Sequence, residues 1–195
     1  MSKIYVQAPF TDNQLAQLKE LAAGYGDELY FSPVRLSMSG LGFTESGGSE
    51  PISLSEVDAA IGNVPAGKLA KSQKTGGLKL AWMQLNSSGA DAYVKDGVLP
   101  QQTVLTSATG AYGTGIAEYM VCMLLNMMKK VPAYLEDHKR HLWTDEGLVT
   151  TPSGKRVLIV GTGNIGMEFA RRMKAFGCTL SGIRRRADHC PDGLD

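Results

Sequence analysis

Val157-Leu158-Ile159-Val160-Gly161-Thr162-Gly163-Asn164-Ile165-Gly166 joins a continuous apolar run to a Gly-x-Gly-x-x-Gly turn, and an amphipathic stretch follows at once. Four β-branched or aliphatic residues in succession read as a strand buried on both faces, as a parallel sheet requires. Ile165, Phe169, Met173 and Phe176 then recur at helical spacing, and Gly177 stands where a left-handed C-cap stops a helix. Cys178 to Ile183 returns as a second apolar strand. Each glycine of such a turn answers a steric need: a tight bend, approach of a pyrophosphate, close packing of helix on strand. The unit therefore predicts a dinucleotide-binding turn, with Gly161, Gly163, Asn164, Ile165 and Gly166 as candidate cofactor residues. Phosphate oxygens would meet free N–H groups at the helix start, nearest Asn164 and Ile165. A chain with 23 glycines can carry the pattern by chance, and a turn without a ligand is the alternative; the strand before and the helix after give the signal its weight.

The residues after the second strand select among dinucleotides. A carboxylate there would bond the ribose 2′-hydroxyl of NAD, whereas arginine accommodates the 2′-phosphate of NADP. Arg184-Arg185-Arg186 stands at that point, and Asp188 comes late for the expected spacing of about 20 residues. The run favours NADP, with NAD possible, and makes Arg184 and Arg185 candidate cofactor residues. A solvated basic edge is the alternative.

Composition narrows the class. The chain has 195 residues, 43% of them apolar, with a net charge of +1, which describes a soluble globular chain of one or two domains. Nothing points to nucleic acid. The three cysteines, Cys122, Cys178 and Cys190, lack Cys-x-x-Cys spacing and suit a reduced, cytoplasmic protein; Cys122 and Cys178 lie in apolar segments and read as core. Met1 to Tyr5 lacks a signal-peptide apolar region, and no run of about 18 apolar residues offers a membrane span.

From the N-terminus, Ile4 to Gln7 reads as a strand, and Thr11 caps a helical pattern carrying Leu15, Leu18 and Leu21. Glu28 to Phe31, Val57 to Ile61 and Leu78 to Met83 read as further strands, with a short helix over 68–74. Ser37 to Ser55, rich in Gly and Ser, reads as a surface loop. Strands alternating with helices predict a parallel α/β sheet. Thr114 to Val131 is the strongest helical pattern, with Ile116, Met120, Met123, Leu124, Met127 and Met128 on an apolar face too wide for one stripe, hence buried on more than one side as core or subunit interface. Pro132 should kink or restart it before it continues to about Trp143, and 147–154 connects into the glycine-turn strand. His138 and His141, three apart, read as a solvated helix face because no carboxylate or thiolate completes a metal set. His189 is uncommitted.

Together, Trp82-Met83-Gln84-Leu85-Asn86-Ser87-Ser88-Gly89-Ala90-Asp91, then Gly115-Ile116-Ala117-Glu118-Tyr119, Trp143, and Lys155-Arg156-Val157 with the glycine turn resemble the D-isomer-specific 2-hydroxyacid dehydrogenases in order and separation. Residues 32–54 match poorly. The resemblance implies an α/β protein: a flavodoxin-like first lobe over 1–105 that binds substrate, then the first βαβ part of a Rossmann dinucleotide-binding domain over 106–195, incomplete at the C-terminus. It implies hydride exchange between NAD(P)H and a 2-keto or 2-hydroxy acid. Ser88, Gly89 and Ala90 match the family loop that holds the substrate carboxylate by backbone N–H groups; on residue chemistry alone Ser87 or Ser88 serves equally as a helix N-cap. The helix from Thr114 resembles the family's dimer element, so a homodimer is implied.

In that family the catalytic arginine, the carboxylate that tunes the histidine, and the histidine itself lie beyond the second strand of the nucleotide domain. No residue here matches them, so no catalytic residue and no metal ligand is assigned. The expectation is a truncated dehydrogenase, inactive by itself. A non-catalytic nucleotide-binding or dimerisation module is the alternative; another Rossmann enzyme, acting on an amino acid, leaves Glu118 and Trp143 unexplained.

Overall fold

The computed structural model describes residues 1–33, 35–36, 43–44, 51–186 and 191–195. They fall into two compact units, Met1–Thr109 and Gly110–Asp195. In the first, β1 (Lys3–Gln7), α1 (Asp12–Tyr25), β2 (Glu28–Phe31), the short antiparallel pair β3 (Arg35–Leu36) and β4 (Phe43–Thr44), β5 (Ala59–Gly62), α2 (Ala66–Thr75), β6 (Trp82–Gln84) and β7 (Val104–Thr106) follow in order. Five strands form one parallel sheet ordered β2-β1-β5-β6-β7. Numbered along the chain within that sheet, this is the flavodoxin-like order 2-1-3-4-5.

Local chemistry sets the elements. Thr11 and Gln14 form a reciprocal capping box at the start of α1, and Gly26, in the left-handed region, ends it with its N–H on Ala22 and Ala23 carbonyls. Leu15 and Leu18 turn inward, but Leu21 is exposed and Ala22 is buried in its place. The stripe 15, 18, 22 keeps helical spacing, and Leu21 falls beside it. Buried Tyr5, Val57, Ala60, Val64, Leu69 and Met83 belong to the core. The expected strand over 78–83 begins later: Leu78 and Leu80 are buried but lie before β6. Burial and ladder pairing are separate demands, and the run meets the first before the second. The 37–55 loop lies largely outside the described residues; within it Phe43–Thr44 pairs with Arg35–Leu36 and Leu54–Glu56 forms one 3-10 turn.

The second unit contains α3 (Gly113–Met128), α4 (Val131–Lys139), β8 (Arg156–Val160), α5 (Asn164–Ala175) and β9 (Thr179–Ile183). Lys130 in the left-handed region breaks α3 from α4, and Pro132 sits in the first turn of α4, where its missing N–H costs no helical bond. The helix expected to reach Trp143 stops at Lys139, and His141 has a φ of 55°. His138 and His141 therefore share no helical face. Strands β8 and β9 pair in parallel from Arg156↔Thr179 to Val160↔Ile183. Ile159, Ala170, Met173, Cys178 and Leu180 form the core, with Val121 and Leu124 of α3 packed on it.

Two burial expectations are corrected, for β8 and for Cys122. Strand β8 is covered on one face only: Leu158 is 59% exposed and Val160 80%. A run of apolar residues shows that both faces suit burial, and only neighbouring elements decide whether both receive it. Within a single copy, helix α3 buries Gly113 and Ala117 and leaves Ile116, Met120, Met123 and Met127 exposed, so that face is not core of this unit. Cys122, on that helix, is exposed; Cys178 is buried.

One ion-pair cluster ties α3 to α5. Arg172 bonds Glu168 at 2.7 Å and Glu118 at 2.9 Å, and Arg171 bonds Glu168 at 2.6 Å. Arg172 first, then Arg171, hold the Glu168 carboxyl below the usual glutamate range. A carboxyl held low in the folded state adds stability above its unfolded pKa, about 4.3, and that contribution disappears as pH falls through the folded value. Denaturation curves at decreasing pH should show the wild type losing stability through this window more steeply than Glu168→Gln; parallel acid limbs would remove the cluster from the account.

Candidate cofactor turn and substrate loop

The glycine turn is formed as a strand-to-helix junction. Gly161 N–H donates to the Ile183 carbonyl at 2.8 Å, closing the carboxyl ends of β8 and β9 together, and Gly163 is the N-cap of α5. Its three glycines are required for three different reasons. Gly161 has a φ of 98°, a conformation L side chains rarely adopt. Gly166 has no such need, but a Cβ there would stand 2.1 Å from the Gly161 carbonyl oxygen, so helix and turn touch through its missing side chain. Gly163 has neither: its φ is −86°, and no heavy atom lies within 4 Å of where its Cβ would be. Among the described residues, no packing contact and no backbone angle demands glycine at 163.

Around the turn, Asn164 and Ile165 open α5 and are exposed, and α5 carries no side-chain cap at its N-terminus. First-turn N–H groups without such a cap are free for an anion. Arg184 directly follows β9, whose last residue bonds Gly161, so the arginine run begins beside the turn; Arg184 is half-buried and Arg185 and Arg186 are exposed. Asp188 and His189 lie outside the described residues, as does Cys190. The sequence reading missed Gly182 and Thr162. A Cβ on Gly182 would meet Thr162 Cγ2 at 2.4 Å, so a glycine inside β9 lets the buried Thr162 pack there. A glycine within a strand is the signal that marks such an approach. A cavity of about 350 Å³ lies along α5 near Lys174, Asp192 and Gly193, and no residue of the glycine turn lines it.

In the first unit, Ser88, Gly89 and Ala90 follow β6 at the carboxyl end of the parallel sheet. Ser88 and Gly89 are exposed. Asn86 N–H donates to Asn63 Oδ1 at 3.1 Å, Ala108 N–H to the Ser87 carbonyl at 3.0 Å, and Ser87 Oγ to the Gly89 carbonyl at 3.2 Å. The loop is thereby tied to those after β5 and β7. No helix follows it, since 91–99 are successive turns, so Ser87 and Ser88 are not helix caps. The cofactor candidates gather in the second unit and the substrate candidates in the first. Among the described residues no cluster of three or more His, Cys, Asp or Glu could hold a metal, and no helix is long and apolar enough to cross a membrane.

Strand, glycine turn, helix and parallel strand define the class: an α/β protein with a dinucleotide-binding unit. Residues 121–192 match the D-isomer specific 2-hydroxyacid dehydrogenase family in its NAD binding domain. A glyoxylate/hydroxypyruvate reductase of Arabidopsis thaliana is 36% identical over 81 residues, 40% of this chain and 25% of that protein. A D-lactate dehydrogenase of Streptococcus pyogenes is 32% identical over 103 residues, 50% of this chain and 30% of that protein. A solved D-isomer specific 2-hydroxyacid dehydrogenase family protein from Aeromonas salmonicida aligns with a TM-score of 0.72 at 21% identity, covering 100% of this chain and 56% of that one. Over residues 121–192 the chain matches the NAD binding domain of that family, and it spans about half the length of that solved relative.

The different needs of the glycines separate folding from binding. Gly166→Ala drives a methyl into main chain and should cost about 1–3 kcal/mol of stability, whereas the Cβ of Gly163→Val meets no described heavy atom within 4 Å, so this variant should cost no more than the roughly 1 kcal/mol of exchanging a glycine N-cap for valine. Thermal melts of both variants check this; a large loss for Gly163→Val would mean that an internal contact, not an open approach, requires that glycine.

Proposed function

We propose that the chain forms the substrate- and cofactor-binding parts of an NAD(P)-dependent 2-hydroxyacid dehydrogenase, exchanging hydride between the nicotinamide and a 2-keto or 2-hydroxy acid. Residues 1–105 serve as the substrate lobe and 106–195 as the dinucleotide part. The observation that carries the reading is Gly163: a glycine that neither backbone conformation nor packing requires, facing open space beside a helix start with no side-chain cap, is what a bound pyrophosphate would require. Gly161 and Gly166 shape the turn, and the N–H groups of Asn164 and Ile165 receive the phosphate.

Arg184 and Arg185 favour NADP by meeting its 2′-phosphate, since they leave β9 beside Gly161. Ser88, Gly89 and Ala90 bind the substrate carboxylate through main-chain donors at the carboxyl end of the first sheet. The Arabidopsis and Streptococcus relatives are named for small 2-keto or 2-hydroxy acids, which supports that substrate class. When bound, the nicotinamide supplies the hydride; the residues of this chain bind, orient and neutralise charge. None of them is assigned as the acid–base group.

The reading extends to a cytoplasmic homodimer. Ile116, Met120, Met123 and Met127 line the exposed face of α3, and a row of large apolar residues suits burial against a second copy. The same face supports a second reading, a dimerisation module that keeps dinucleotide binding without catalysis.

Calorimetry with NADPH and NADH tests the cofactor assignment. Wild type should bind NADPH more tightly than NADH, Gly163→Val should abolish binding of both, and Arg184→Asp should shift preference toward NADH by about tenfold or more, about 1.4 kcal/mol. Absence of binding by the wild-type chain would overturn the reading, and an unchanged preference in Arg184→Asp would remove the arginine from it.

A further inference from the structure

Helix α3 follows Gly110-Ala111-Tyr112 and opens with Gly113-Thr114-Gly115, so two glycines occupy its first turn. Glycine inside a helix costs about 1 kcal/mol against alanine, so each invites a reason. Gly115 shows none: no atom lies within 4 Å of a Cβ built on it. Gly113 is buried, and its Cβ would stand 2.1 Å from Asn164 Oδ1, 2.8 Å from Asn164 Cγ and 3.2 Å from Asn164 Nδ2. The whole carboxamide of Asn164 therefore lies across the bare α-carbon of Gly113. Asn164 is the first helical residue after the glycine turn, and its side chain is parked on another helix while its main chain stays in the turn.

We infer that Gly113 is a positioning residue for the dinucleotide turn: it provides the space in which the Asn164 carboxamide docks on α3, which keeps that side chain out of the approach left open by Gly163 and fixes the direction of the first N–H groups of α5. This rests on the cofactor reading above. Asn164 acts on the cofactor through its main chain, and its side chain is an anchor. The anchor joins a packed frame, because Val121 and Leu124 of α3 lie on the α5 core and Glu118 pairs with Arg172 further along the same two helices. A methyl at 113 cannot shift that frame cheaply. It displaces the flexible end of Asn164, and the displaced carboxamide has the ligand side of the turn in which to go.

The sign of the coupling between two substitutions tests this. Gly113→Ala should weaken NADPH binding by about tenfold while the melting temperature stays near or above that of wild type, since alanine is the better helix former. Adding Asn164→Ala to Gly113→Ala removes the displaced group and should restore affinity to that of Asn164→Ala alone. A generally weakened fold would instead lower melting temperature and affinity together, with no recovery in the double variant, and would overturn the inference. So would unchanged affinity in Gly113→Ala with binding intact in the wild type. No binding by the wild type overturns the cofactor reading and this inference with it.

Discussion

The second unit depends on one approach: helix α5 comes so near the turn before it that a Cβ on Gly166 would lie 2.1 Å from the Gly161 oxygen. From that contact follow the direction of α5, the presentation of its first N–H groups, and the one-residue spacing at which Gly163 faces outward. Gly161 makes the contact possible by adopting a φ of 98°, and its N–H closes the end of β9 onto β8. Three glycines thus divide a conformational, a steric and an external requirement among them. Only the external one speaks of a ligand.

Around this junction the two helices are braced at several levels. Apolar packing of Val121 and Leu124 holds α3 on the α5 core, the Glu118–Arg172–Glu168 cluster crosses between them, and Asn164 meets Gly113 at their starts. Glu118, one of the residues that carried the family resemblance, thereby has a structural account as half of an interhelical pair. Each exposed ion pair is worth little alone, but three contacts of different kind along one helix pair restrict both rotation and sliding.

Much of this was legible in the sequence because it is local. Thr11, Pro132, Gly177 and the glycine turn act through neighbours a few residues away, and the structure shows them doing so. The alternation of strands and helices was enough for a parallel sheet, and its order is flavodoxin-like. What escaped depends on distant surroundings. The run at 157–160 shows that both faces of β8 tolerate burial but not that Leu158 and Val160 stay exposed; the Met-rich pattern of α3 likewise shows an apolar face without showing what meets it. Leu21 lost its place to Ala22 by the phase of one helix, a shift too small for spacing to resolve. Gly113 and Gly182 were unreadable as packing sites because their partners, Asn164 and Thr162, lie far along the chain or across a strand.

The most direct measurement is an amide nitrogen–proton NMR titration of the chain with NADPH. The account predicts that shifts concentrate on Gly161 to Gly166 and on Arg184 and Arg185, largest at Gly163, Asn164 and Ile165, with the far end of α5 little changed. Shifts that spare the turn and gather elsewhere, or none at saturating NADPH, would contradict the claim that this glycine turn receives the dinucleotide.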